Sequence, residues 1–138
     1  MRTLHFGLRV ADIDQSLAFY TAVGYAVVGT VPGTPLGDLT MLKLPDDDFV
    51  TIELVSGRSH DAAPGGSGLN HFVIQVESVE ATVAELAAAG LDVEAPSSPD
   101  GTDSFLTTWI TDPDGNRIEL VQWPAGHADG ITAADWPS

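Results

Sequence analysis

Two stretches of this chain carry closely similar residues at one fixed interval. The interval is 66 positions, both between His5 and His71 (71 − 5) and between Glu53 and Glu119 (119 − 53). The flanking motifs are Leu4-His5-Phe6 and Asn70-His71-Phe72 at the openings, and Ile52-Glu53-Leu54-Val55 and Ile118-Glu119-Leu120-Val121 at the ends. A fixed internal period indicates a repeated structural unit. Each copy opens near a histidine and ends near a glutamate.

Hydrophobic periodicity predicts the same order of elements in both copies. Leu4, Phe6 and Leu8 alternate with polar or small residues, as in a strand with one apolar face. Asp12 and Ser78 stand where an N-cap would open a helix. The predicted helices are 13–23 and 79–89. The predicted strands are 4–10, 25–30, 39–44 and 49–55 in the first copy, and 69–76, 91–94, 104–111 and 116–123 in the second.

These elements predict an α+β protein built from two tandem βαβββ modules. We expect a single domain over residues 1–123, with modules at about 2–55 and 69–123 whose strands form an open, curved mixed sheet. Residues 56–68 hold four glycines, one proline and no periodicity, so they are predicted to be a linker. Residues 124–138 are predicted to be an irregular C-terminal tail.

Composition excludes several classes of partner and site. The formal net charge of −15 disfavours nucleic acid and anionic membrane surfaces. No apolar run approaches the roughly 18 residues needed to cross a bilayer. Residues 1–5 contain no apolar signal core, so we expect an uncleaved cytoplasmic protein. The chain has no cysteine, which leaves imidazole and oxygen as its strong metal ligands.

The two histidines and two glutamates form a candidate metal site. Along a strand, His5 shares a face with Gly7 and Arg9, opposite the apolar residues, and Glu53, His71 and Glu119 follow the same alternation. A hydrogen-bonded surface pair is the ordinary interpretation of one such His and Glu. Two pairs at identical offsets on half-buried strands favour a divalent metal, because an uncompensated carboxylate there is costly. Two imidazoles and two carboxylates also leave an octahedral ion open positions, as catalytic sites require.

The remaining histidines, His60 and His127, fall in predicted loops without a partner, and we interpret both as surface residues.

In its motifs the chain resembles the vicinal oxygen chelate superfamily, and within it the short bacterial glyoxalase I (lactoylglutathione lyase) of the glyoxalase/bleomycin resistance/dioxygenase family. The resemblance covers roughly residues 2–123. Beyond the paired motifs, it rests on Leu8-Arg9-Val10, Ser16-Leu17-Ala18-Phe19-Tyr20-Thr21 and Asp112-Pro113-Asp114-Gly115-Asn116-Arg117. It implies a metal-dependent lyase that isomerises the hemithioacetal of a 2-oxoaldehyde such as methylglyoxal to a 2-hydroxyacyl thioester.

The resemblance also implies roles for individual residues. His5, Glu53, His71 and Glu119 match the family's four metal ligands, with Zn or Ni favoured and Co, Mn or Fe as alternatives. Glu119 matches the usual base, and Glu53 is expected to serve the opposite hydrogen. Arg9 matches the arginine that binds the γ-glutamyl carboxylate of glutathione. The expected partner is a small thiol–aldehyde adduct, and the expected assembly is a homodimer.

Three alternatives to a glutathione-dependent glyoxalase remain open. The loop at 99–104 carries two aspartates and no cation, which disfavours a second substrate carboxylate and suggests a thiol other than glutathione. An extradiol-type dioxygenase or an acyl-CoA epimerase of the same superfamily would use a similar site. A non-catalytic antibiotic or small-molecule binding protein is the third alternative, although such members generally lack the metal ligands.

Overall fold

The structure, a computed structural model, describes residues 3–57 and 69–136. It divides the chain into two compact units. The first comprises Met1–Gly68 together with Asp112–Gly115, and the second comprises Leu69–Thr111 together with Asn116–Ser138. The predicted linker, apart from residues 56 and 57, lies outside the described residues, and so does His60.

The first unit contains one helix and a four-stranded sheet. Its elements are β1 (Phe6–Arg9), α1 (Ile13–Val23), β2 (Ala26–Thr34), β3 (Gly37–Lys43) and β4 (Ile52–Ser56). The sheet order is β1-β4-β3-β2, in which β1 runs parallel to β4 and the other pairs are antiparallel. The apolar residues buried in this unit are Leu8, Val10, Tyr20, Tyr25, Leu42, Ile52 and Leu54. Their alternation along β1 and β4 leaves His5 and Glu53 on the opposite face.

One glycine is required where β3 meets β4. Gly37 opens β3 with a φ of +124°, and a Cβ at this position would collide with the carbonyl oxygen of Ser56. Only glycine combines this backbone conformation with this close approach.

A turn from the second half of the sequence completes the first unit. The hydroxyl of Tyr20 donates a buried hydrogen bond of 2.6 Å to Asp112 Oδ2. Near the N-terminus of α1, the amide of Ala11 and the hydroxyl of Ser16 donate to the two oxygens of Asp114, at 2.9 and 3.2 Å. This negative charge also suits the positive end of the helix dipole.

The second unit has a three-stranded sheet. Its elements are β5 (His71–Gln75), α2 (Val79–Ala88), β6 (Leu106–Thr111), β7 (Arg117–Gln122) and a short 3₁₀ helix, Ala133–Asp135. The sheet order is β5-β7-β6, with β5 parallel to β7 and β6 antiparallel to it. Helix α2 packs against β6 and β7. The buried apolar residues are Ile74, Val79, Leu86, Ile110, Ile118, Leu120 and Val121.

The C-terminal tail is held by an aromatic stack. The ring of Trp123 lies between Phe105, with centroids 5.3 Å apart, and His127, with centroids 4.5 Å apart. His127 Nε2 lies 2.5 Å from Asp135 Oδ1, and Nδ1 lies 2.7 Å from the carbonyl oxygen of Ala128. The prediction that His127 has no partner is therefore wrong.

Most predicted elements lie where the sequence pattern put them. Both helices begin at the predicted residues, 13 and 79, because Asp12 and Ser78 accept from backbone amides in the first turn. The predicted strand at 91–94 is wrong, so the second module lacks the second of its four predicted strands. All four residues are described, and they lie outside any strand. Glu94 donates one backbone bond to Trp109, but Pro96 has no N–H with which to extend a ladder.

Candidate functional site

His5 and Glu53 are in contact on the face of the first sheet opposite its core. In the parallel pairing of β1 with β4, Glu53 lies beside Gly7, two residues beyond His5, which directly precedes β1. His5 Nε2 lies 3.2 Å from Glu53 Oε2, and the Glu53 side chain is only 13% exposed. The structure therefore brings two of the four predicted ligands together.

His71 and Glu119 occupy the same relative positions in the second sheet. The parallel pairing of β5 with β7 places Glu119 beside Val73, two residues beyond His71. The diagonal from histidine to glutamate is thus the same in both units. The structure gives these two side chains no hydrogen bond to each other, although both are described. His71 Nδ1 instead lies 2.7 Å from Asn70 Oδ1.

Trp109 and Arg117 are neighbours of this second pair that the sequence reasoning missed. The antiparallel pairing of β6 with β7 puts Trp109 beside Glu119, while Arg117 pairs with His71 across β5 and β7. The guanidinium carbon of Arg117 lies 4.5 Å from the centre of a Trp109 ring, and Arg117 Nη2 lies 2.7 Å from Glu94 Oε2. The predicted turn at Asp112–Gly115 could have identified Trp109 as a site residue, because an antiparallel hairpin folded about this turn pairs Trp109 with Glu119.

Arg9, the predicted anion-binding residue, is exposed at the end of β1 and pairs with Val55. It shares the alternating face of His5 and Gly7. In the register of β1 with β4, Arg9 lies two residues beyond Gly7, which pairs with Glu53.

The acidic loop after Pro99 keeps its charge. Asp100 Oδ1 accepts from the backbone N–H and the hydroxyl of Thr102, at 2.9 and 2.7 Å, and from Ser98. These bonds, first of all that from the Thr102 backbone, lower the pKa of Asp100. A carboxylate ligand would meet a stable negative charge here.

No set of three or more His, Asp or Glu side chains within residues 3–57 and 69–136 could by itself hold a metal ion. Each unit contributes one histidine and one glutamate from the predicted set. In the same two ranges, no helix is long and apolar enough to cross a membrane.

A sequence model of the Glyoxalase/Bleomycin resistance protein/Dioxygenase superfamily matches residues 2–120. The chain belongs to this superfamily. The resemblance drawn from the paired motifs is thereby confirmed, and it extends over the two sheets and both helices.

Two curated relatives of this chain are named as lactoylglutathione lyases. The lactoylglutathione lyase of Haemophilus influenzae is 31% identical over 126 residues, which cover 88% of this chain and 93% of that protein. The probable chloroplastic lactoylglutathione lyase of Arabidopsis thaliana is also 31% identical, over 124 residues. The chain spans only 35% of the length of the Arabidopsis protein.

Two solved structures share the fold of this chain. The trypanothione-dependent glyoxalase I of Leishmania major superposes with a TM-score of 0.69 at 26% identity, over 88% of this chain and 86% of that one. TnmS3, an antibiotic binding protein from Streptomyces sp. CB03234, gives a TM-score of 0.71 at 24% identity, over 91% and 98% of the two chains. The α+β fold class with open mixed sheets is therefore confirmed.

Proposed function

We propose that this protein is a metal-dependent lyase of the glyoxalase I type, which converts the hemithioacetal of a 2-oxoaldehyde and a thiol to a 2-hydroxyacyl thioester. One observation carries the proposal: in both units a glutamate pairs, across two parallel strands, with the residue that lies two positions after a histidine. The relatives named lactoylglutathione lyase support this activity over the alternatives within the superfamily.

We propose that His5, Glu53, His71 and Glu119 hold one divalent ion. Their donors fit such an ion, because two imidazoles and two carboxylates suit zinc or nickel, and the chain has no thiolate to compete. The contact between His5 Nε2 and Glu53 Oε2 supports the first half of this set. When bound, the ion would act as a Lewis acid that stabilises negative charge developing beside a carbonyl.

Glu119 is the proposed base. Its carboxylate takes the proton from the carbon that bears the sulfur and returns it to the neighbouring carbon, so the reaction is an isomerisation without net oxidation. Its register neighbours, Val73 and Trp109, carry no acid or base that would compete for this proton. Glu53 is proposed to serve a substrate whose hydrogen points to the opposite side.

Arg9 is the proposed contact for a carboxylate of the thiol. The charged Asp100 loop offers no second cation. Thiols with one recognised carboxylate are therefore favoured. Glutathione is the first thiol to test because of the relatives' names, and trypanothione is relevant because a superfamily member is described as dependent on it.

The decisive experiment measures thioester formation by ultraviolet absorbance with methylglyoxal, a panel of thiols, and Zn, Ni, Co, Mn or Fe. We expect turnover that a chelator abolishes and that E119Q lowers by at least 100-fold, a typical contribution of a general base. E80Q, a change of the same charge on exposed α2, should leave turnover unchanged. If the metal-loaded protein forms no thioester with any thiol of the panel, the proposal is refuted.

We also propose that the protein acts in the cytoplasm as a homodimer in which each site combines the first unit of one subunit with the second unit of its partner. Mixed dimers of H5A and H71A test this arrangement, because they would contain one intact site in two. Purified through two different tags, they should recover about half of the wild-type activity, whereas each parent dimer is inactive. Mixed dimers as inactive as their parents would place each site within one chain instead.

A further inference from the structure

The ring of His71 is held from two sides. Its Nδ1 lies 2.7 Å from Asn70 Oδ1, and its ring meets Trp109 edge to face, with centroids 5.2 Å apart and an interplanar angle of 75°. Trp109 is itself covered by the guanidinium of Arg117, which is tied to Glu94. Although His71 is exposed, these contacts give its ring a defined orientation.

The hydrogen bond to Asn70 selects one tautomer of the imidazole. An amide oxygen can only accept, so Nδ1 must carry the hydrogen. A neutral ring with Nδ1–H leaves a lone pair on Nε2, which is the form a metal ligand needs. Histidines that bind metals commonly donate their second N–H to such an acceptor, and loss of that acceptor lowers metal affinity.

We infer that Asn70 is a positioning residue that fixes the tautomer of His71, so that Nε2 is ready to bind a divalent cation. This inference rests on the proposed function for the role of the cation. The hydrogen bond and the tautomer belong to the metal-free protein and can be measured without any activity.

Within the described part of the first unit, His5 has no counterpart of Asn70 or Trp109. Leu4 stands at the position equivalent to Asn70 and offers no side-chain acceptor, while Met41 pairs with Glu53 where Trp109 pairs with Glu119. His5 instead contacts its own glutamate through Nε2. The two histidines of the repeat are therefore oriented differently, and Asn70 acts on the second alone.

The tautomer can be read by nitrogen NMR of the metal-free protein, recorded at about pH 8.5. Wild-type His71 should show a protonated Nδ1 and an unprotonated Nε2. N70A should shift the ring toward Nε2–H. N70D, which keeps an acceptor oxygen, should restore the wild-type pattern. Q75A, a change on the same strand at a side chain bonded only weakly to Asp129, is the matched control.

Calorimetric titration with Zn²⁺ or Ni²⁺ supplies the second measurement. N70A should weaken binding roughly 10- to 100-fold, while N70D and Q75A should stay close to wild type. Thermal unfolding of each variant checks that the fold is intact, and N70L, which copies the first unit, replaces N70A if that variant is unstable.

Two results would overturn the inference: a wild-type His71 that carries Nε2–H, or an N70A protein with unchanged tautomer and unchanged affinity. A wild-type protein with the expected tautomer and no affinity for either cation would instead refute the proposed metal-dependent function, and with it the role of the cation here. The NMR measurement therefore separates the two failures.

Discussion

Replacing Tyr20 by phenylalanine tests how firmly the Asp112–Gly115 turn is built into the first unit. The tyrosine is fully buried, and its ring packs edge to face on Phe19 and Tyr25, with centroids 5.0 and 5.6 Å apart. Phenylalanine keeps this ring and leaves no cavity. The change removes only the 2.6 Å hydrogen bond to Asp112.

The expected loss follows from the acceptor that remains. Asp112 is 4% exposed, so water cannot easily replace the phenol, although Asp112 Oδ1 keeps the backbone N–H of Asp114 at 2.9 Å. A buried acceptor deprived of one partner costs about 1–3 kcal/mol. For a chain of this size the unfolding midpoint should fall by roughly 3–10 °C.

The assay is chemical and thermal unfolding of Y20F beside Y25F. Tyr25 is also buried, but its hydroxyl donates no hydrogen bond to a described residue, so Y25F should lose less than half as much stability. Burial, and then the charge of Asp112, raises the pKa of Tyr20 above its ordinary value, so the phenol remains a donor. The loss in Y20F should therefore be the same at pH 6 and pH 9, both below the unfolded pKa of about 10.

A double-mutant cycle with D112N isolates the pair, and a coupling energy above about 0.5 kcal/mol is expected. If Y20F proves no less stable than Y25F, or if the cycle shows no coupling, the turn is not anchored as described.

Three further predictions concern separate parts of the chain. G37A should unfold at least about 2 kcal/mol more easily, because its Cβ meets the Ser56 carbonyl at a positive φ; a denaturant midpoint equal to wild type would contradict this. The carbonyl of Ala128, and then Asp135, raises the pKa of His127. The tail should therefore be held fully below the unfolded pKa of about 6.5 and loosen as the pH rises through the folded value; amide protection factors of the tail, corrected for the faster intrinsic exchange at high pH, that do not fall would disprove it. Finally, zinc or nickel at 100 times its dissociation constant should stabilise the protein by about 2.7 kcal/mol, and excess chelator should remove this gain; an unfolding midpoint that ignores the ion would count against the metal site.

The fold was largely predictable because its signals are local. Asp12 and Ser78 cap their helices through neighbouring backbone groups, and strict alternation fixes which residues of β4 are buried, whereas in β1 only Leu8 is buried. The segment 91–94 alternates in the same manner. It does not form a strand because the chain makes few inter-strand hydrogen bonds before Pro96. The alternation of apolar residues does not predict how many such bonds can form.

The candidate site was predictable only in part. The repeat identified His5, Glu53, His71 and Glu119, and the structure gives both pairs one register. The contact of Asn70 with His71 was not predicted, because the side chains of adjacent residues on a strand point to opposite faces. Strand β5 begins at His71, so this alternation does not govern the residue before it.

Partners far apart in sequence could not be predicted from local pattern. The periodicity of α1 marks Tyr20 as a buried residue, but its hydroxyl bonds to a residue 92 positions away. Local sequence patterns do not predict a partner at so large a separation in sequence. The same holds for Asp114, whose carboxylate serves the start of α1.

The turn at Asp112–Gly115 makes the two copies of the repeat unequal, because it lies in the second half of the sequence but belongs to the first unit. A polypeptide cut at residue 68 would contain every strand of the first sheet, yet it would lack the acceptors for a buried phenol and for the opening of its helix. The first copy therefore depends on Asp112 and Asp114, which the sequence of the second copy supplies. Shuffling or transplanting these halves as interchangeable cassettes would therefore require residues 112–115 to travel with the first of them.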